Sequence, residues 1–138
     1  YMVNMIFLDS SFVISCKVAD DENHEKSMKY LSNFIENNEE VSISDYIFDE
    51  VVTVLLLKTK DLNAAVDTGN ILKISAKLLK VDDSVFNESW EIFKTQKNTK
   101  LSFTDCSSLA LMRKEGIKKL ATFDKDFKKI KEIEVVGN

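Results

Sequence analysis

The sequence predicts an α/β fold, a mainly parallel β-sheet covered on both faces by helices. Short apolar runs alternate along the chain with longer amphipathic stretches, the order that parallel strands joined by crossover helices require. Four acidic residues, Asp9, Glu50, Asp105 and Asp124, each stand where such a run gives way to a helix or turn. With no proline and three glycines in 138 residues, nothing marks a linker. Residues 1–138 are therefore expected to form one domain, long enough to bury a true core.

Met5-Ile6-Phe7-Leu8 reads as a short buried strand, and Ser10 or Ser11 caps a brief helix through Cys16. Asp20 to Asn23 is a polar break. An amphipathic helix follows from His24 to Asn37, with Met28, Leu31, Phe34 and Ile35 on one stripe. Val41-Ser42-Ile43 is the second strand. Ser44 or Asp45 starts a helix to about Lys60, and a further helix from Asp61 to near Ser75 carries Leu62, Ala65, Val66, Leu72 and Ile74. Together they suggest a helical hairpin, with Gly69 as a kink or break. Lys77 to Val81 is the third strand. The helix over Ser84–Thr95 turns Val85, Phe86, Trp90 and Phe93 inward, and a helix over Thr104–Lys114 starts at Thr104 and stops at Gly116. Leu120 to Phe123 and Ile133 to Val136 complete the strands.

Apolar residues make up 44% and charged residues 30% of the chain, and no apolar stretch approaches the roughly 20 residues of a membrane span. The start, Tyr1-Met2-Val3-Asn4, lacks the pattern of a secretory leader, so a cytoplasmic setting without membrane attachment is expected. Cys16 and Cys106 lie far apart and form no zinc pattern, which predicts reduced, structural thiols. His24, the single histidine, falls in the polar break and reads as a surface residue.

The net charge of −4 argues against broad coating of nucleic acid, but the charge is unevenly spread. Residues 1–50 carry 3 Lys and 11 Asp or Glu, whereas residues 113–131 carry 8 Lys or Arg and 3 acids. Lys125, Lys128 and Lys129 could thus form a phosphate-contacting rim beside Asp124; a solvated surface is the plainer reading of the same lysines.

Parallel sheets place ligands beyond the carboxyl ends of their strands. Asp9 and Asp124 directly follow strands. Glu50 falls about a turn and a half into a helix, and Asp105 lies in a first turn, near free backbone N–H groups. Taken singly, Asp9, Asp105 and Asp124 could each be helix caps. Glu50 could not. It stands among Ile47, Phe48, Val51, Val54 and Leu55, where an unpaired carboxylate would cost several kcal/mol, and pairing with Mg²⁺ or Mn²⁺ would relieve that cost.

The strings Phe7-Leu8-Asp9-Ser10-Ser11, Phe48-Asp49-Glu50-Val51-Val52, Phe103-Thr104-Asp105-Cys106-Ser107-Ser108-Leu109-Ala110 and Ala121-Thr122-Phe123-Asp124-Lys125-Asp126-Phe127 resemble the four motifs of PIN-domain ribonucleases, in order and spacing, over essentially the whole chain. Single-domain length and the hairpin after Glu50 most resemble VapC-type toxins of toxin–antitoxin pairs. The resemblance implies a three-layer α/β/α fold with a sheet of four to five strands. It also implies an endoribonuclease in which Asp9, Glu50, Asp105 and Asp124 are catalytic and Asp9, Asp105, Asp124 and the less regular Asp126 hold one or two Mg²⁺ or Mn²⁺ ions. Glu50 would orient the attacking water. Ser10, Thr104 and Thr122 match hydroxyl positions that support the family's site. An RNA substrate, a cognate antitoxin and a homodimer are the implied partners, and the Leu55-Leu56-Leu57 run is compatible with a dimer face. Two alternatives stand beside this reading: a catalytically silent interaction module whose acids are caps, and a PIN nuclease of RNA processing outside any toxin–antitoxin pair.

Overall fold

A computed structural model describes residues 4–138; Tyr1 to Val3, on which the expected absence of a leader partly rests, lie outside the described residues. In chain order the elements are β1 (Met5–Leu8), α1 (Ser10–Lys17), α2 (His24–Glu36), β2 (Glu40–Ser44), α3 (Asp45–Thr59), α4 (Leu62–Ser75), β3 (Lys77–Leu79), α5 (Asp83–Lys94), α6 (Phe103–Glu115), β4 (Lys119–Ala121), a 3-10 turn (Lys125–Lys129) and β5 (Glu134–Val136). The strands form one sheet in the order β3-β2-β1-β4-β5, with every neighbouring pair parallel. The expected α/β class and three-layer arrangement are therefore those of the protein.

β1 is the central strand, and Ile6, Phe7 and Leu8 are all buried. A strand covered on both faces needs apolar side chains in unbroken series, which is why this segment reads as a run and not as an alternation. From β1 the chain winds outward through β2 and β3, then crosses back to lay β4 and β5 on the other side. The winding reverses between β1 and β4, where Leu8 pairs with Ala121. Loops leaving these two strands diverge there, opening a crevice at their carboxyl ends.

Several expectations are corrected by the structure. Gly69 does not kink α4, which runs unbroken; the glycine is buried at the crossing with α3, where a Cβ would stand 3.3 Å from both Phe48 and Val52. Thr104 does not start α6. Ser102 is the cap, in a box with Asp105 three residues on. Phe86 and Trp90 do not turn inward but are 47% and 48% exposed, and Phe93 lies beside them on the surface. α5 has two apolar stripes, and the one packed inward carries Val85, the small Ser89 and the half-buried Ile92. His24 is half-buried, its Nδ1 2.8 Å from the carbonyl of Ser15. Met28 and Ile35 are exposed while Phe34 of the same stripe is buried. Gly116 ends α6 as expected, in a left-handed conformation (φ 70°) that favours glycine.

No helix among the described residues is long and apolar enough to cross a membrane. Both cysteines are free, Cys106 buried and Cys16 half-buried; burial raises both thiol pKa values, that of Cys106 to about 11 with the Asp105 charge adding to the rise.

Candidate functional site

Asp9 leaves β1 at the crevice. Its backbone N–H continues the ladder to the carbonyl of Ala121 at 2.9 Å, which fixes the residue against β4. Although Asp9 occupies the N-cap position of α1, its side chain caps nothing. Instead Oδ2 accepts from Thr122 Oγ1 at 2.7 Å and from Ser11 Oγ at 3.0 Å. The other oxygen, Oδ1, is buried without any hydrogen-bond partner. A carboxylate this enclosed is costly as an anion: burial pushes its pKa up to about 6, with the Asp105 charge adding to the rise and the hydroxyls of Thr122 and Ser11 opposing it.

Thr122 joins Asp9 to Asp124. While donating to Asp9, Thr122 Oγ1 accepts from the backbone N–H of Asp124 at 3.0 Å, so one hydroxyl fixes two acids from adjacent strands. Ser11 acts in parallel, accepting from Phe123 N at 3.1 Å. The expected support from Thr122 is thus present, whereas Ser11 takes the place assigned to Ser10. Sequence adjacency alone could not separate the two serines, because either can follow a strand into a helix. Asp124 also caps the 3-10 turn, accepting from Asp126 N at 2.9 Å.

Asp105 is the third helical residue of α6 and shares the cap with Ser102. Its Oδ2 accepts from Ser102 N at 3.0 Å and its own N–H donates to Ser102 Oγ at 3.1 Å, a reciprocal capping box. Its pKa is raised, first by burial and further by the neighbouring charges of Asp124 and Glu50, and the bonds to Ser102 oppose the rise. Glu50 is half-buried and lines a groove with Tyr46, Asp49, Thr53, Val54 and Thr104. It is not enclosed among apolar neighbours as the sequence suggested; Ile47, Val51 and Leu55 take the buried face of α3. Of the adjacent pair, Glu50 and not the exposed Asp49 acts on Asp105.

The Asp105 charge acts on Asp9, and the charges of Asp124 and Glu50 act on Asp105, so the four acids form a loose electrostatic constellation linked through Asp105. Among the described residues no three His, Cys, Asp or Glu side chains close around one point as a ready ligand set. The donor chemistry nevertheless fits a hard divalent cation: carboxylate oxygens alone, one of them buried and orphaned, in a cluster of like charges that repel. Asp126 stands apart from this constellation. Its Oδ2 accepts from Lys100 N at 3.0 Å, Lys129 Nζ lies 3.2 Å from Oδ1, and those contacts lower its pKa.

Comparison with known proteins agrees with the fold. The PIN domain family model matches residues 6–133. The chain belongs to the PIN-domain family. It is 27% identical over 123 residues to the 23S rRNA-specific endonuclease VapC20 of Mycobacterium tuberculosis, covering 89% of this chain and 92% of that protein. The crystal structure of that VapC20, described as a sarcin-ricin loop cleaving toxin, superposes with a TM-score of 0.84 at 28% identity, over 94% of this chain and 98% of the other. The PIN fold also recurs in VapBC2 of Rickettsia felis, with a TM-score of 0.71 at 14% identity over 96% of this chain and 97% of that one.

Proposed function

We propose that this PIN-domain chain, acting as one nuclease unit over residues 1–138, is an endoribonuclease that hydrolyses RNA phosphodiesters with a divalent cation, Mg²⁺ or Mn²⁺, and serves as the toxin of a toxin–antitoxin pair. The observation that carries the reading is the orphaned, buried Oδ1 of Asp9 within a carboxylate cluster at the sheet's switch point. Its likeness to VapC20, whose name states an RNA endonuclease activity, supports the substrate class.

Asp9, Asp105 and Asp124 would hold the cation, Asp9 offering Oδ1 while Thr122 and Ser11 retain Oδ2. When bound, the cation supplies Lewis acidity, lowering the pKa of water and offsetting negative charge on the phosphate. Thr122 keeps Asp9 and Asp124 in register, and the Ser102 box keeps Asp105 at the head of α6. Glu50, across the groove wall on α3, orients the attacking water. In-line attack at phosphorus breaks the P–O3′ bond and leaves a 5′-phosphate and a 3′-hydroxyl.

The solved relatives include toxin–antitoxin complexes, which supports an antitoxin partner here. A homodimer is part of the proposal, supported by the exposure of Leu56 and Leu57 on α3. Purified protein incubated with RNA and Mg²⁺ or Mn²⁺ tests the reading: wild type cleaves, Asp9→Asn and Asp105→Asn do not, and chelation stops the reaction. Equal cleavage by all three proteins would refute it. Calorimetry separates the silent-module alternative, which binds no divalent cation at millimolar concentration.

A further inference from the structure

We propose that the loop joining α5 to α6, residues 95–102, is a preformed strap for RNA phosphates, and that Asp126 is the positioning residue that clamps it, not a cation ligand. The inference rests on the ribonuclease reading and deepens it. Three sets of contacts carry it.

The loop is internally built. Gln96 Oε1 accepts from Leu101 N and from Thr99 Oγ1, both at 2.8 Å, and Gln96 Nε2 donates to the carbonyl of Leu101 at 3.0 Å. One side chain thus closes the turn, with Asn98 at a left-handed φ of 63°. The loop is also tied to two of the acids. It ends at Ser102, whose capping box holds Asp105. At its middle, Lys100 N donates to Asp126 Oδ2, and Lys129 Nζ bridges Asn98 O at 2.9 Å and Asp126 Oδ1 at 3.2 Å. Both carboxylate oxygens of Asp126 are therefore engaged, and its own N–H donates to Asp124 Oδ1.

The third set is electrostatic. Much of the basic stretch after α6 begins is neutralised within the fold: Arg113 pairs with Glu132, Lys114 with Asp82, Lys119 with Glu39 and Lys129 with Asp126. Within the loop and the 3-10 turn, Lys97, Lys100, Lys125 and Lys128 are exposed and lie in no ion pair among the described residues, and the same holds for Lys118 and Lys131 outside them. The clamp brings Lys97 and Lys100, from the loop, together with the 3-10 turn that carries Lys125 and Lys128. A carboxylate cluster repels the same backbone it must approach, and unpaired cations on a rigid frame offset that repulsion with little ordering cost.

The test uses a fluorescein-labelled single-stranded RNA of mixed sequence, with Asp9→Asn as the non-cleaving background. Anisotropy followed from about 50 to 200 mM NaCl gives affinity and its salt slope. Lys97→Gln/Lys100→Gln should bind roughly tenfold more weakly at low salt, with a log–log slope shallower by about 1.4, two phosphates at about 0.7 each. Asp126→Asn should flatten the slope in the same direction; with Asp9 restored, its Mn²⁺ isotherm should match that of the wild type, and KM should rise more than kcat falls. An unchanged slope in the double lysine variant overturns the strap, and so does loss of Mn²⁺ binding by Asp126→Asn with RNA affinity intact. Should Asp126→Asn melt as an unfolded chain, the surface lysine pair still decides the matter. If wild type neither binds nor cleaves RNA, the ribonuclease reading falls and the strap with it; cleavage with an unaltered lysine-variant slope removes the strap alone.

Discussion

Asp9, 3% exposed and with one oxygen unpartnered, is a carboxyl group that the fold favours in its protonated form. Its pKa of about 6 stands above the ordinary value of 3.8, so the folded chain keeps a proton that the unfolded chain releases. Its favourable contribution is complete below pH 4 and is lost as pH rises to 6, a difference of about 3 kcal/mol between the two limits for the cation-free protein. Asp105 shifts in the same direction. Thermal melts across this range should therefore show stability falling through it from these two groups. A cation competes with those protons, so Mn²⁺ should raise the melting midpoint more at pH 7.5 than at pH 5, and Asp9→Asn should lose most of that response. Thr122→Val removes the 2.7 Å bond to Asp9 Oδ2 and strips the N–H of Asp124 of its acceptor. The expected cost is about 1–3 kcal/mol, read from denaturant melts, with cleavage reduced because both acids lose their common reference.

At the scale of elements, β5 braces the site from the edge of the sheet. Thr122 N donates to the carbonyl of Val136, and Gly137 then passes so close that a Cβ would lie 2.5 Å from Thr122 O, at a φ of 123° that favours glycine. Gly137→Ala should destabilise the protein by more than about 1 kcal/mol and raise hydrogen exchange at Thr122 and Asp124 before it raises exchange in β1. The strands were legible in the sequence because each is a short apolar run between turn or cap residues, and a doubly covered sheet permits little else. Asp9 and Asp124 were legible for the same reason, being the first charged residues past β1 and β4. What stayed hidden depended on partners distant in sequence. Nothing in Asp126 itself announces Lys100 N as its donor 26 residues away, and the two apolar stripes of α5 cannot be ranked without knowing that the one with the smaller side chains turns inward. Glu50 was found by its position but explained wrongly, since the groove beside Thr53 and Thr104 forms only when α3 and α6 meet.

On the whole molecule, apolar side chains are left over after the core is filled, and their distribution constrains assembly. Of the three consecutive leucines in α3, Leu55 is buried, Leu56 is partly exposed and Leu57 is 69% exposed, as a helix entering a core on one face requires. Leu62 and Val66 of α4 are exposed on the same hairpin, and a shallow groove between the two helices is lined by Phe48, Val52, Leu56, Leu62 and Val66. Contiguous exposed apolar surface of this kind marks an interaction face. A symmetric pair of hairpins would cover it with the same residues from both copies, which suits a two-fold interface. Sedimentation velocity should find a dimer at micromolar concentration, and Leu57→Glu, which would place two carboxylates in the apolar contact, should shift the boundary to monomer without changing the far-UV circular dichroism. Because Leu57 lies outside the acid constellation, cleavage by the monomeric variant also reports whether one chain suffices for catalysis. A wild type that sediments as a monomer, or a variant that remains a dimer, would remove the hairpin as the dimer face.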